Sequence, residues 1–259
     1  MSRRDDYIRE LAGASDQVTF LREHSGLPGP RGNLELMQAA ADVGDEPRFR
    51  EWIRIGGGSR PTDEFLAMCG IVGLGRLVAE GRTELVSELH AYASDPRWRV
   101  REAVAMALER VGDRDTDLLF KIARGWAEEA GYVQRAAIAA VSEPRLLKTA
   151  EASRAAVDLV DRVTSLLEGR GDRRSDEFRV LRQALGYCWS VVVASNPQYG
   201  RPHMQRWLEF RDPDVRWILL QNLRKSRLRN LDPAWVDRLN SELESLHPQD
   251  HGDPWPRSR

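Results

Sequence analysis

Residues that carry most reactive chemistry are scarce in this chain. Its 259 residues include two cysteines and five histidines, and the formal net charge is only −1. Cys69 and Cys188 both lie inside apolar helical stretches, where a small buried hydrophobe is expected rather than a disulfide. That favours a reducing, cytoplasmic setting. No stretch approaches the ~18 consecutive apolar residues of a membrane span. The opening MSRRDDYIRELAG has no apolar run behind its basic residues, so the expectation is a soluble protein without a secretory signal and without a membrane partner. No Gly-x-Ser-x-Gly elbow occurs, and Gly56-Gly57-Gly58-Ser59 lacks the Gly-Lys-Ser/Thr ending of a phosphate loop, so it reads as a linker. Only His247-x3-His251 has metal-ligand spacing, and the neighbouring Pro248 and Gly252 argue against a helical site. Neither a metal nor a cofactor is expected, and no catalytic set assembles.

Repetition is what the chain does have. An acidic residue is followed by an apolar anchor, usually a basic residue, then Ala. The phrase reads Asp95-x4-Val100-Arg101-Glu102-Ala103, Glu128-x4-Val133-Gln134-Arg135-Ala136 and Asp176-x4-Leu181-Arg182-Gln183-Ala184, with a shortened Asp212-Pro213-Asp214-Val215-Arg216. The anchors at 100, 133, 181 and 215 are 33, 48 and 34 residues apart, and a fainter copy at Asp63-x4-Met68 lies 32 residues before the first. Such periods belong to stacked helix pairs. The expected fold is therefore all-α: a right-handed superhelix of about five or six helix pairs, with inner helices starting near 63, 96, 130, 176 and 213. Residues 1–61 form an N-terminal helical cap, 62–246 the array and 247–259 a disordered tail.

Turn signals divide the chain in the same way. The proline- and glycine-rich stretches at 26–33 and 56–61 break the first two helix pairs. Thr62 or Asp63 should cap the next helix, whose Gly70, Gly73 and Gly75 let a neighbour approach closely. Ser94 or Asp95 should cap a helix with Pro96 first and Val100, Val104 and Leu108 on its apolar stripe, stopped by Gly112. The long step holds an amphipathic helix at 149–169 and then GRGDRR, read as a flexible basic loop.

DPRWRVREAVAMALERVGDRD resembles a HEAT repeat, and YVQRAAIAAV and DPDVRWILLQNLRK are similar to it. The resemblance covers roughly residues 62–246 and implies a helical solenoid of the HEAT/armadillo kind, a fold that serves as scaffold, chaperone or nucleic-acid binder. One branch, the AlkD-like DNA glycosylases, carries a Trp, an Asp and then an Arg in a phrase like WVRRTAI. Arg135 matches that Arg and Trp98 falls near the aromatic place, whereas Val100 stands where the acid belongs.

The expected function is a non-enzymatic protein-binding scaffold whose concave face presents Trp98, Arg101, Arg135, Arg182, Arg216 and Trp217. Each repeated Arg has two compatible roles: pairing with a carboxylate of the neighbouring repeat, or meeting a ligand. Eight tryptophans interleave with arginines, which suits peptide capture, base stacking or the filling of seams between repeats. Nucleic-acid binding is the alternative. Residues 170–232 carry a net charge of +6, including the cluster Arg224, Lys225, Arg227 and Arg229, while residues 1–169 carry −5.

Overall fold

The computed structural model describes residues 2–246, so the expected tail, His247, His251 and Trp255 lie outside the described residues. Fifteen α-helices, three single-turn 3-10 segments and no strand occur among the described residues. No helix among them is long and apolar enough to cross a membrane. The arrangement is all-helical and compatible with a helical repeat. Two compact units are present, one ending at Leu119 and the other starting at Phe120, a point inside helix α8 (Thr116–Ala127).

The first unit contains α1 (Arg3–Gly13), α2 (Gln17–Glu23), α3 (Leu34–Val43), α4 (Glu46–Gly56), α5 (Pro61–Ala79), α6 (Val86–Tyr92) and α7 (Trp98–Arg114). Its centre is α5, which is apolar nearly all round and buried accordingly, with α2, α3, α4 and α7 packed against it. Missing side chains make this contact close. A Cβ on Gly73 would lie 2.3 Å from the Phe49 ring of α4, and one on Gly75 would lie 2.5 Å from the Ala107 backbone of α7. The second unit contains α9 (Gly131–Val141), α10 (Ala150–Ser165), α11 (Asp176–Ser195), α12 (Pro197–Gln205), α13 (Pro213–Leu223), α14 (Ser226–Leu231) and α15 (Pro233–Leu246). Here α11 is central, touching α9, α10, α12, α13 and α14.

Helix starts at 61, 98, 131, 176 and 213 stand close to those expected from the repeated phrase. Val100, Val104, Leu108, Ile138, Leu181, Leu185, Val192, Leu219 and Leu223 are all buried, as their stripe requires. Local ends differ in informative ways. Arg60, not Thr62 or Asp63, caps α5, because Pro61 fits the first helical position and needs no N–H partner. Asp63 instead accepts from the Arg60 amide at 3.4 Å and from Arg22 Nε at 2.8 Å. Asp95 does not cap α7: its carboxylate accepts from the Arg97 amide at 2.8 Å, closing a turn that holds Pro96 outside the helix. Gly112 does not stop α7 either; it is buried, and the chain turns at Asp115, whose carboxylate caps α8 through the Leu118 amide.

The 169–174 loop is tied down rather than free. Arg170 donates to Gln134 of α9 at 2.8 Å, and Arg173 donates to Asp212 and Asp214 at the start of α13. A single loop thereby grips both α9 and α13, two of the helices packed against α11. Side-chain contacts elsewhere follow the same spacing. Arg22 with Asp63, Arg99 with Glu64, Arg162 with Glu128 and Arg201 with Asp232 span 41, 35, 34 and 31 residues, about one repeat each. Across the long step the span lengthens with it: Asn196 bonds Ser153, Trp207 bonds Asp161 and Cys188 meets Ile138 over 43, 46 and 50 residues.

Thermal or denaturant unfolding should find Leu108→Ala less stable than the parent by about 2–5 kcal/mol, since the side chain is fully buried. Gly75→Ala should cost about 1–3 kcal/mol, because backbone and not a movable side-chain tip blocks the added methyl. Gly125→Ala in α8 has open space around its Cβ and should gain roughly 0.5–1 kcal/mol.

Candidate functional site

In the first unit, the start of α7 gathers three arginines around one tryptophan. Trp98 is 52% exposed, more than any other Phe, Tyr or Trp among the described residues. Arg99 stacks on it with its guanidinium 4.5 Å from the ring centroid, and the same group reaches Glu64 Oε2 at 3.2 Å. Arg97 is held by Asp95 and donates to the Gly56 carbonyl at 2.5 Å. Arg101 is buried and donates through Nη1 to the carbonyls of Asp95 and Pro96 at 2.6 and 2.9 Å. Charge around Trp98 is thus largely balanced by acids of the unit itself.

The second unit holds Arg135, Arg182, Arg216 and Trp217. Arg135 is half-buried on α9, and Arg216 is buried on α13. Arg182 lies almost out of solvent, with Nε 2.9 Å from Asp214 Oδ1 and its guanidinium 3.8 Å above the ring of half-buried Trp217. The ion pair is close without the alignment of a hydrogen bond. The other oxygen of Asp214 accepts from Arg173 Nη1 at 2.7 Å, and Arg173 also donates to Asp212 Oδ1 at 2.9 Å and to the Leu167 carbonyl at 2.8 Å. Two guanidiniums and two carboxylates so form one network joining the 166–175 loop, α11 and α13. Asp212 also caps α13, accepting from the amides of Asp214 and Val215. Burial alone pushes the Asp212 carboxyl up, but Arg173 and those amides outweigh it and hold the group below its ordinary value of 3.8.

Sequence reasoning gave no weight to Tyr187, although it lies in α11 five residues after Arg182. This ring is 46% exposed. Arg227 donates to its hydroxyl at 2.8 Å with the guanidinium 4.7 Å from the centroid, and Lys225 Nζ approaches to 5.7 Å. Arg224 is exposed on the same turn between α13 and α14, whereas Arg229 pairs with Asp237 at 3.1 Å. The expected basic cluster therefore separates: Arg229 has an acid partner, and Lys225 and Arg227 gather on an aromatic ring. Five other tryptophans, Trp52, Trp126, Trp189, Trp207 and Trp235, are buried and fill seams. Both cysteines are buried free thiols, and burial raises the Cys69 thiol well above its usual value.

Titratable groups also line the seam of α10 with α12. Tyr199 donates to Asp158 at 2.7 Å, and His203 Nε2 lies 3.9 Å from the same carboxylate. Burial raises the Asp161 carboxyl, offset in part by Trp207 and Arg206. Among the described residues no group of three or more His, Cys, Asp or Glu side chains could hold a metal ion. No family model matches the chain, and no curated protein matches it.

Asp214→Ala strands the Arg182 and Arg173 charges and should cost about 3–5 kcal/mol, while Arg182→Met with Asp214→Leu should recover most of that loss. Denaturant midpoints of the parent, the single variant and the double variant check this. Acid should act through Asp212. Because its folded value is lowered, the stability it supplies is complete above pH about 4 and disappears as pH falls below that. Asp161, whose value is raised, works in the opposite direction, favouring the fold at low pH and losing that contribution as pH rises. Melting curves from pH 7 to pH 2 should show a shallower acid limb in Asp212→Asn than in the parent.

Proposed function

We propose that the chain is a HEAT-like helical-repeat module, a right-handed superhelix of about five or six helix pairs, that works in the cytoplasm as a non-enzymatic scaffold holding another protein. Two features support the architecture: the 33- and 34-residue steps of the repeated phrase, and side-chain bonds that reach one repeat onward. The observation that carries the binding role is the display of aromatic rings. Among the Phe, Tyr and Trp rings of the described residues only Trp98 and Tyr187 are exposed, and each has a guanidinium within 5 Å of its centroid. Large, stiff rings beside arginines are the residue types that dominate protein interfaces. Within their own units Arg101 and Arg182 are buried against local backbone and acid, Arg216 is buried on α13, and Trp98, Arg135 and Trp217 remain nearer solvent.

A second reading has its own support. Lys225 and Arg227 crowd the Tyr187 ring, with exposed Arg224 beside them, and cations interleaved with an aromatic ring also suit stacking of nucleic-acid bases. Against it stands the net charge of −1.

Capture of partners by crosslinking to the full chain in its native cytoplasm, followed by mass spectrometry, tests the proposal. Trp98→Ala or Tyr187→Ala should weaken the recovered complex by about 2 kcal/mol, roughly thirtyfold, with an unchanged melting temperature. Co-purification of nucleic acid in place of protein, together with duplex or single-strand binding that falls steeply with salt, would replace it with the second reading.

A further inference from the structure

An open groove in the second unit, between α12 and the first turns of α15, has a chemistry that none of the repeated phrases announced. Its walls include Asn196, Gln198, Arg201, Gln205, Trp235 and Arg238, and no carboxylate among the described residues lines it. Two donors there lack acceptors among the described residues. One is Arg201 Nε, out of solvent and without a hydrogen bond; the other is the indole Nε1–H of Trp235, a residue only 2% exposed. Arg201 is oriented rather than loose. Its Nη1 is fixed by Asp232 at 3.0 Å, and its guanidinium lies 5.2 Å from the Trp235 ring centroid. This leaves the Nε side of the fork, an edge that can take part in two parallel bonds to a carboxylate. Arg238 adds an exposed cation. Buried N–H donors are normally satisfied, so two orphan donors on neighbouring wall residues mark a place where an acceptor is missing.

We propose that this groove binds a carboxylate side chain of an extended acidic peptide segment. Arg201 Nε and the Trp235 indole would donate to the carboxylate, Arg238 would supply long-range attraction, and the amides of Gln198 and Gln205 would meet the peptide backbone. The peptide character of the ligand is taken from the protein-binding reading. Within the groove itself, amide side chains are suited to it, since each offers a donor and an acceptor to a main chain. The Asn196 amide is already engaged, donating to Ser153 at 3.0 Å and capping α12 through the Tyr199 amide, so it shapes the wall instead.

Nitrogen-15 NMR of the full chain provides the test. The indole cross-peak of Trp235 is assigned by its disappearance in Trp235→Phe, then followed during titration with a ten-residue peptide of alternating Ser and Glu. That peak should move saturably, stay still with the Ser-Gln counterpart, and need at least tenfold more acidic peptide in Arg238→Glu, whose surface position leaves folding intact. A Trp235 signal unmoved by the acidic peptide at millimolar concentration overturns the inference. Equal movement with inorganic phosphate or a ten-nucleotide single strand also overturns it, in favour of a general anion site. The two readings fail separately: if partner capture is lost in Trp98→Ala but persists in Arg238→Glu, the groove falls alone, and if the peptide binds while no protein is captured, the scaffold reading falls alone.

Discussion

A guanidinium reaching from one helix to the end of another is the contact on which the rest of this structure depends. Basic residues number 39, and 36 of them are arginine against three lysines. The preference has a geometric cause. A helix ends in carbonyls with no partner of their own, and the next helix begins with acids that favour its positive end. One planar fork with five N–H groups can serve both at once, which an ammonium on a flexible stem does less well. Arg173 bonds the Leu167 carbonyl and the two acids opening α13, Arg76 bonds the Ala41 and Gly44 carbonyls and Glu80, and Arg97 bonds Asp95 and the Gly56 carbonyl.

Such bonds supply register more than energy. Exposed pairs such as Arg162 with Glu128 add little because solvent screens them, and burying an ion pair gains little over an apolar one of equal volume. Apolar burial along α5 and α11 provides the larger driving force. Apolar stripes of Ala, Val and Leu look alike from one repeat to the next, however, and could slide by a turn. A buried polar group cannot, because a slide strands it. Asn222 is the strictest case. Fully buried, it accepts from the Ser190 amide at 2.7 Å and donates to the Leu185 carbonyl at 2.9 Å, so α13 fits α11 in one position only.

Helix starts were legible because they depend on nearby residues: the acid, the proline and the anchor lie within one turn of each other. What escaped was decided by side-chain partners that the local pattern does not rank, some a few residues away and some a whole step away. Asp95 looked like a cap, but its acceptor capacity goes to Arg97, and Arg101 binds the very carbonyls that Asp95 and Pro96 would have placed in the helix. GRGDRR looked mobile because its partners, Gln134, Asp212 and Asp214, are 36 to 41 residues distant. Arg201 and Trp235 carried a faint signal in retrospect. They are 34 residues apart, the same step that separates the anchors Leu181 and Val215.

The same pairing changes what the charge pattern means for recognition. A surplus of +6 over residues 170–232 suggests an anionic partner, yet Arg170, Arg173, Arg182, Arg201 and Arg206 all face carboxylates of the second unit. Much of the apparent basic surface is therefore internal structure. Lys225 and Arg227 at Tyr187 instead face an aromatic ring, which attracts a cation without neutralising it. Trp98 is the contrasting case, because Arg99 beside it is matched by Glu64. Trp98 thus offers ring area with little net charge, whereas the field of Lys225 and Arg227 at Tyr187 is Coulombic and screened over about 10 Å at 0.1 M salt. The two rings therefore differ in kind: one offers area, the other area within a cationic field.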